Sequence, residues 1–380
     1  MRIGIDARFY GRLGKGLGRY TQQLIEHLEK IDKENEYSIF LRKENFSQYI
    51  PKNENFSKIL ADISWYGFRE QWEFPFLLKK YNLDLVHFPH FNIPILYKKA
   101  FVVTIHDLIL LHHSTYKGST LPKFFYTIKF FVYKEILRYG LKKAKHILTV
   151  SEFTKGDILK NYPFIPEEKI SVSYEADTHF FPTKKVKENT MQSIHRYGII
   201  KPYFLYVGNA YPHKNLSLML QAFLSLKIDN FVFVLVGRID TFYSQLRALF
   251  SKEERQQRII FVGEVEDEEL EVLYKNAFVY VFVSLYEGFG LPPLEAMARG
   301  IPVISSCVTS MPEILGKAPL YCDPRKKDSI RKALLCMINQ KDVRDRCREM
   351  GYRQVKLYNW KNLAQKTLKV YKQAFSQNKH

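Results

Sequence analysis

Acidic side chains are scarce in this chain: 39 Asp and Glu stand against 58 Lys and Arg over 380 residues, a net charge of +19. Such a deficit implies an anionic partner, whether nucleic acid, an acidic lipid surface or a phosphorylated substrate. The excess is +10 over residues 1–200 and +9 over 201–380, which excludes a basic tail as its source. Cysteine is sparse too. Cys307, Cys322, Cys336 and Cys347 all fall in the second half with no C-x-x-C pair. That pattern argues against a disulfide frame or zinc site and reads as reduced thiols in a cytosolic protein. No run of 18 or more uncharged apolar residues occurs, so no spanning helix is expected. The N-terminal MRIGIDARF reads as a buried strand from its second residue, not as a basic region before a signal core.

What is present is a globular composition, 46% hydrophobic, at a length that suits two domains. Strand and helix alternate in two runs. The first has strand patterns at 2–6, 37–41, 84–88, 101–105, 146–150 and 169–173, with helical stretches at 17–30 and 69–80. The second has strands at 203–207, 231–236, 258–262, 278–283 and 302–306, separated by helices near 215–226, 241–251, 267–276 and 292–299. Continuous apolar strands bounded by helices predict parallel sheets covered on both faces. Two doubly wound α/β domains are therefore expected, 1–190 and 191–358, with polar 180–201 as the linker and ligands at the carboxyl ends of strands, between the domains. A last helix over 359–375, within the terminal segment 359–380, has no strand after it and is expected to cross back onto the first domain.

The most telling stretch is YEGFGLPPLEAMARG, Tyr286 to Gly300. A strand enters a glycine-rich turn flanked by Glu287 and Glu295, and a helix leaves it. Pro292 and Pro293 suit the first turn of that helix and Gly300 its end. Backbone amides of Gly288, Phe289, Gly290 and Leu291, with a helix N-terminus behind them, would receive phosphate oxygens without a metal. Two carboxylates beside phosphates fit hydrogen bonds from hydroxyls better than contact with the phosphates. A ligand rich in both phosphate and hydroxyl is a nucleotide-sugar. The plain alternative is a tight strand–helix connection with two solvated acids.

Three further clusters sit at strand ends. DARFYGRLGKGLGRY (6–20) carries Gly11, Gly14, Gly16 and Gly18 but fails the dinucleotide spacing because position 19 is arginine. It reads as a flexible loop able to approach a substrate, with Arg12, Lys15 and Arg19 at hand. VTIHDL places His106 and Asp107 at a strand's carboxyl end, the alternative being a buried, satisfied histidine. YVGNAYPHKN places Lys214 at a helix start, suited to compensate diphosphate charge as the leaving group departs.

Basic and aromatic residues interleave over 115–146, from Tyr116 and Lys117 onward, with eight Lys and Arg against the single acid Glu135. From Leu121 to Lys143 the pattern predicts one helix in which Lys134, Arg138 and Lys142 recur every four residues. Such a helix can lie in a lipid interface, gaining roughly 1 kcal/mol per base near anionic headgroups. Its aromatics can equally fill the core while its lysines are solvated.

Together the IGIDAR loop, VTIHDL, TVSEFTKGDI (149–158), YVGNAYPHKNLSLMLQAF (206–223), LYEGFGLPPLEAMARGIPVISSCVTSMPEI (285–314) and LYCDP (320–324) resemble glycosyltransferase family 4, retaining enzymes of the GT-B fold that include many bacterial mannosyltransferases. The resemblance spans essentially the whole chain. It implies that Glu287 binds donor-sugar hydroxyls and supports charge at the anomeric carbon, that Glu295 holds the ribose, and that residues 288–291 offer amides. It further implies that Lys214 neutralises the diphosphate, that His106 faces the reacting bond, and that Gly14 and Gly16 approach phosphates or acceptor. Val265 would contact the base through its backbone. Asn209 and His213 stand where many relatives carry arginine, which shifts diphosphate binding toward Lys214, Arg238 or the N-terminal loop.

No Asp-x-Asp motif accompanies the glutamate pair, so no metal is expected, and the co-substrate expected is a nucleotide-sugar with GDP-mannose first. The expected acceptor is a lipid-linked saccharide or polysaccharide of cell-surface assembly, reached by a cytoplasmic protein resting on the inner face of the membrane through 121–145, with no nucleic-acid partner. A non-hydrolysing nucleotide-sugar epimerase and a non-catalytic basic module binding membrane or nucleic acid are the alternatives.

Overall fold

The structure is a computed structural model describing residues 1–113, 123–177 and 194–377, with backbone alone at 12, 13, 15 and 123–126. Tyr116, Lys117, Leu121, the expected domain boundary at 190/191 and most of the expected linker lie outside the described residues, as do the side chains of Arg12 and Lys15. The chain forms two compact units. One takes Met1 to Leu111, the later stretch ending at Glu175, and the chain from Asn359 onward; the other takes His112, His113 and Ala176–Tyr358.

The first unit is a seven-stranded parallel sheet: β1 (Arg2–Asp6), β2 (Glu36–Leu41), β3 (Phe56–Leu60), β4 (Leu85–Phe88), β5 (Phe101–Ile105), β6 (His146–Thr149) and β7 (Ile170–Val172). Their order is β3-β2-β1-β4-β5-β6-β7, so direction reverses at β1. Helices α1 (Lys15–Ile31), α2 (Phe68–Lys79), α3 (Ile109–His112), α4 (Lys123–Lys143) and α5 (Glu152–Asn161) connect them. Central strands are mostly apolar because both faces are covered; every residue of β4, β5 and β6 is buried, the polar His87, Thr104, His146 and Thr149 included. Right-handed crossovers send α2, α4 and α5 to one face. Their inward side chains (Phe74 and Leu78, Tyr133 and Leu137, and Ile158), with Tyr162 just past α5, join a single core cluster with β4, β5 and β6.

The second unit has six parallel strands: β8 (Tyr203–Val207), β9 (Val232–Val236), β10 (Ile259–Gly263), β11 (Val279–Phe282), β12 (Val303–Ser306) and β13 (Leu320–Cys322). They run β10-β9-β8-β11-β12-β13, with reversal at β8. Its helices are α6 (Leu216–Leu224), α7 (Thr241–Leu249), α8 (Ser251–Arg255), α9 (Asp267–Lys275), α10 (Leu291–Ala298), α11 (Met311–Leu315), α12 (Lys327–Asn339) and α13 (Lys341–Val355). The last helix, α14 (Trp360–Ser376), packs on α1 and against β4, β5 and β6. Among the described residues no helix is long and apolar enough to cross a membrane.

Strands β3 and β13 went unread in the sequence. Both lie at a sheet edge, where half-exposed FSKIL and three-residue LYC lack a buried apolar run. The glycine loop is also shorter than expected. A 3-10 turn spans Gly11–Gly14 and α1 starts at Lys15, so Gly16, Gly18 and Arg19 belong to the helix. The reason is packing: a Cβ on Gly14 would sit 2.1 Å from the Phe9 carbonyl oxygen, and one on Gly18 would sit 2.1 Å from that of Gly11.

Candidate active site

In the second unit, parallel strands deliver their following turns to one edge of the sheet. Val265 follows β10, Arg238 follows β9, Asn209 and Lys214 follow β8, Glu287 follows β11 and Thr309 follows β12. Of these, Val265, Arg238, Asn209, Lys214 and Glu287 are expected from the sequence and Thr309 is not; together they line up along the carboxyl edge in the order of the strands. Direction reverses between β8 and β11, the place where doubly wound sheets open a crevice for ligands.

At that reversal Lys214 Nζ donates to Glu287 Oε1 at 2.6 Å. The side chains are 13% and 8% exposed, so the ion pair is held mostly out of water. Its geometry is fixed by the backbone around it. Lys214 ends a 3-10 turn, Pro212–Lys214, and the Leu285 amide donates to the His213 carbonyl at 2.7 Å. Asn215, at a left-handed φ of 61°, donates from its side chain to the carbonyls of Val283 and Pro324. On the other flank, the Glu287 amide donates to Thr309 Oγ1 (3.2 Å) and Ser310 Oγ donates to the Glu287 carbonyl (3.0 Å). Burial, with adjacent Lys214 adding to it, pushes the His213 imidazole down to about 4. It is neutral at pH 7 and adds no charge where an arginine would have.

Gly290 caps α10 at φ 91°, and a Cβ there would approach Met311 Cε to 2.5 Å, so both conformation and space require glycine. Pro292 and Pro293 follow in the first turn, where their missing N–H groups leave no helical bond unmade. Phe289 is buried with its ring edge-on to Tyr358 at 5.7 Å. One α10 turn on, Glu295 is buried and accepts from Tyr274 Oη at 3.1 Å. Burial and Glu295 hold that phenol protonated, far above its usual range. Arg238 is exposed; Asn209 and Val265 are half-buried, and Asn209 Oδ1 accepts from the Tyr211 amide. Gly208 and Gly237 pack the β8 and β9 turns together, since a Cβ on Gly237 would lie 2.0 Å from the Gly208 carbonyl oxygen.

In the first unit, His106 follows β5 with both ring nitrogens engaged: Nδ1 to Glu175 Oε1 at 3.0 Å and Nε2 to the Pro89 carbonyl at 2.9 Å. Burial works against its charge, but Glu175 and the Pro89 carbonyl outweigh it and raise its pKa above the usual 6.5. Two acceptors around one ring favour the imidazolium, whose two N–H groups satisfy both. The ring lies edge-on to Tyr20 at 4.7 Å. Asp107 instead caps the next turn, accepting from the Ile109 amide at 2.9 Å. Gly16 is exposed, and a Cβ there would meet nothing within 4 Å. Glu175, which sets the state of His106, escaped sequence reading although it lies just past β7, where the strand-end rule would have found it. Among the described residues no three His, Cys, Asp or Glu side chains gather as a metal site.

The two doubly wound sheets have counterparts among solved structures. Sucrose-phosphate synthase from Thermosynechococcus elongatus superposes with a TM-score of 0.77 at 19% identity, covering 99% of this chain and 100% of that one. A glycosyltransferase from Rickettsia africae gives 0.71 at 20% identity, covering 98% of each. These likenesses define the fold as GT-B. In sequence, the family model described as glycosyl transferases group 1 matches residues 193–354, and that described as glycosyltransferase family 4 matches 14–176. O-antigen chain mannosyltransferase RfbU of Salmonella typhimurium strain LT2 is 32% identical over 289 residues, 75% of this chain and 73% of that protein. O-antigen chain mannosyltransferase B of Escherichia coli is 28% identical over 376 residues, 94% and 96% of the two chains. The chain belongs to the family 4 glycosyltransferases. Sugar transfer therefore replaces the epimerase and non-catalytic readings.

Proposed function

We propose that this glycosyltransferase moves a mannosyl residue, with retention, from GDP-mannose to a lipid-linked saccharide of cell-surface polysaccharide assembly, without a metal ion. The observation carrying this reading is the Lys214–Glu287 pair at the strand reversal of the second sheet. A pyrophosphate entering there brings negative charge that attracts Lys214 and repels Glu287. Lys214 exchanges its carboxylate partner for phosphate oxygens, and Glu287 is released toward the sugar hydroxyls and the cationic anomeric carbon that forms as the nucleoside diphosphate leaves. The N-terminus of α10 faces the same charge with its dipole. Glu295 takes the ribose hydroxyls, Arg238 adds positive charge at the β9 turn, and the backbone at Val265 borders the base. His106, as an imidazolium held by Glu175 and the Pro89 carbonyl, supplies positive charge beside the transferred sugar, and Gly16, where a side chain would meet only open space, gives the acceptor or phosphates close approach.

Mannose as the sugar is supported by the names of the relatives from Escherichia coli and Salmonella, both mannosyltransferases of O-antigen chains. Action at the inner face of the membrane is supported by the exposed bases Lys134, Arg138 and Lys142 on α4. The test is transfer from a panel of nucleotide-sugars to a lipid-linked acceptor, with and without a chelator. GDP-mannose should be turned over preferentially and chelation should leave the rate unchanged. Equal use of UDP-sugars, or a rate abolished by chelation and restored by a divalent ion, would refute the donor and metal assignments.

A further inference from the structure

Two exposed apolar stripes lie on the same face of the first sheet. On α2, Phe68, Trp72 and Phe76 recur every four residues and are 98%, 62% and 51% exposed. That spacing sets them on one outward stripe, while Phe74 and Leu78 of the same helix enter the core. On α4, Ile128, Phe131 and Val132 are likewise exposed, while Tyr133 and Leu137 enter the same core cluster. Helices whose inner sides share a cluster on one sheet face present their outer sides in the same direction. Rings connect them at the rim: Tyr66 to Phe91 at 6.1 Å, Phe91 to Tyr133 at 4.8 Å, and Tyr133 to Phe130 at 6.1 Å.

We infer that α2 and α4 form one docking face for an anionic bilayer, with the α2 aromatics entering the headgroup–acyl boundary and the α4 bases meeting the headgroups. This rests on the membrane-surface reading above and adds to it a helix that the sequence did not single out. Charge selects the occupant. Lys79 and Lys80 end α2, and Lys129, Lys134, Arg138 and Lys142 are exposed on α4. The nearby acids are few: Glu73 is held by Arg69 at 2.6 Å, and Asp62 and Glu135 stand alongside. A second copy of a chain carrying +19 would be repelled by such a face, whereas acidic lipid is attracted to it. Trp and Phe beside bases are the side chains that settle at a lipid interface.

The experiment is flotation of the full chain on neutral and on phosphatidylglycerol-containing vesicles, with two variants. One carries Phe68→Ser, Trp72→Ser and Phe76→Ser; the other carries Lys134→Gln, Arg138→Gln and Lys142→Gln. All six side chains are exposed, and unchanged thermal stabilisation by GDP-mannose confirms that the fold and donor site are intact. The wild type should float with acidic vesicles only, and each variant should lose about tenfold or more of that binding. An α2 variant that floats like the wild type while the α4 variant is released overturns the role of α2 and leaves the membrane reading standing. A wild type that ignores acidic vesicles overturns both. A dimer that dissociates in the α2 variant, with no vesicle binding, assigns the stripe to a second copy instead.

Discussion

Lys214 and Glu287 hold each other at 2.6 Å from turns that follow adjacent, oppositely connected strands, β8 and β11. Each charge is compensated by the other in largely dehydrated surroundings, so removing either leaves its partner exposed to the full cost of burial. Lys214→Ala and Glu287→Ala should each destabilise the protein by about 1–3 kcal/mol in urea melts. The double variant should lose clearly less than the sum. Additive losses would mean that the two groups act independently.

Catalysis gives the same pair a second readout. Glu287→Ala is expected to lower turnover by about 100-fold or more, as loss of an electrostatic contact made in the transition state does. Glu287→Gln retains the size and hydrogen-bonding capacity of the side chain but not its charge, so its rate should lie near that of the alanine variant if charge at the anomeric carbon is what matters. Near-normal turnover in both would remove Glu287 from the reaction.

Two glycines separate shape from function. Gly290→Ala places a side chain at φ 91° against Met311 and should cost about 1–3 kcal/mol of stability. Gly16→Ala meets nothing within 4 Å, sits in the first turn of α1, and should leave the melting temperature unchanged or slightly raised. If ligand approaches closely at Gly16, its KM should nonetheless rise. Unchanged kinetics would confine that glycine to the helix.

The His106–Glu175 contact makes stability depend on pH with a defined sign. Because the folded pKa of His106 is raised, its contribution is fully present below about 6.5 and is lost as pH rises through the higher folded value. The difference in melting temperature between wild type and Glu175→Gln should therefore be larger at about pH 6 than at about pH 8.5. A difference that grows with pH would contradict a cationic His106.

A buried chain of hydrogen bonds ties α14 into the first unit. Tyr371 Oη lies 2.6 Å from His87 Nδ1, His87 Nε2 lies 2.8 Å from Thr104 Oγ1, and Tyr20 Oη lies 3.1 Å from the same hydroxyl. Burial, with the charge of His106 assisting, pushes His87 down to about 3, so it remains neutral. Tyr371→Phe strips one ring nitrogen of its partner and should cost about 1–3 kcal/mol, measured by urea denaturation.

The sequence showed the central strands because each carries a continuous apolar run, and the Glu287–Glu295 turn because proline and glycine punctuate it. Edge strands β3 and β13 were invisible for the converse reason: FSKIL is half wet and LYC is too short to repeat. The glycines at 11–18 read in sequence as a flexible loop, whereas Gly14 and Gly18 serve close packing against the carbonyls of Phe9 and Gly11. Lys214 and Glu287 could be named singly, but not their 2.6 Å contact, which depends on the order of strands in the sheet. The stripe of Phe68, Trp72 and Phe76 was hidden because apolar spacing reads as core, and only the buried Phe74 and Leu78 on the other side of α2 show that it faces outward.

The central claim is that Lys214 trades its carboxylate for the diphosphate of the donor. Titrating GDP into wild type, Lys214→Ala and Glu287→Gln by calorimetry tests it most directly. Binding should weaken by about tenfold or more in Lys214→Ala, and should hold or tighten in Glu287→Gln, where the competing anion is gone. Equal affinity for GDP in wild type and Lys214→Ala would contradict the account.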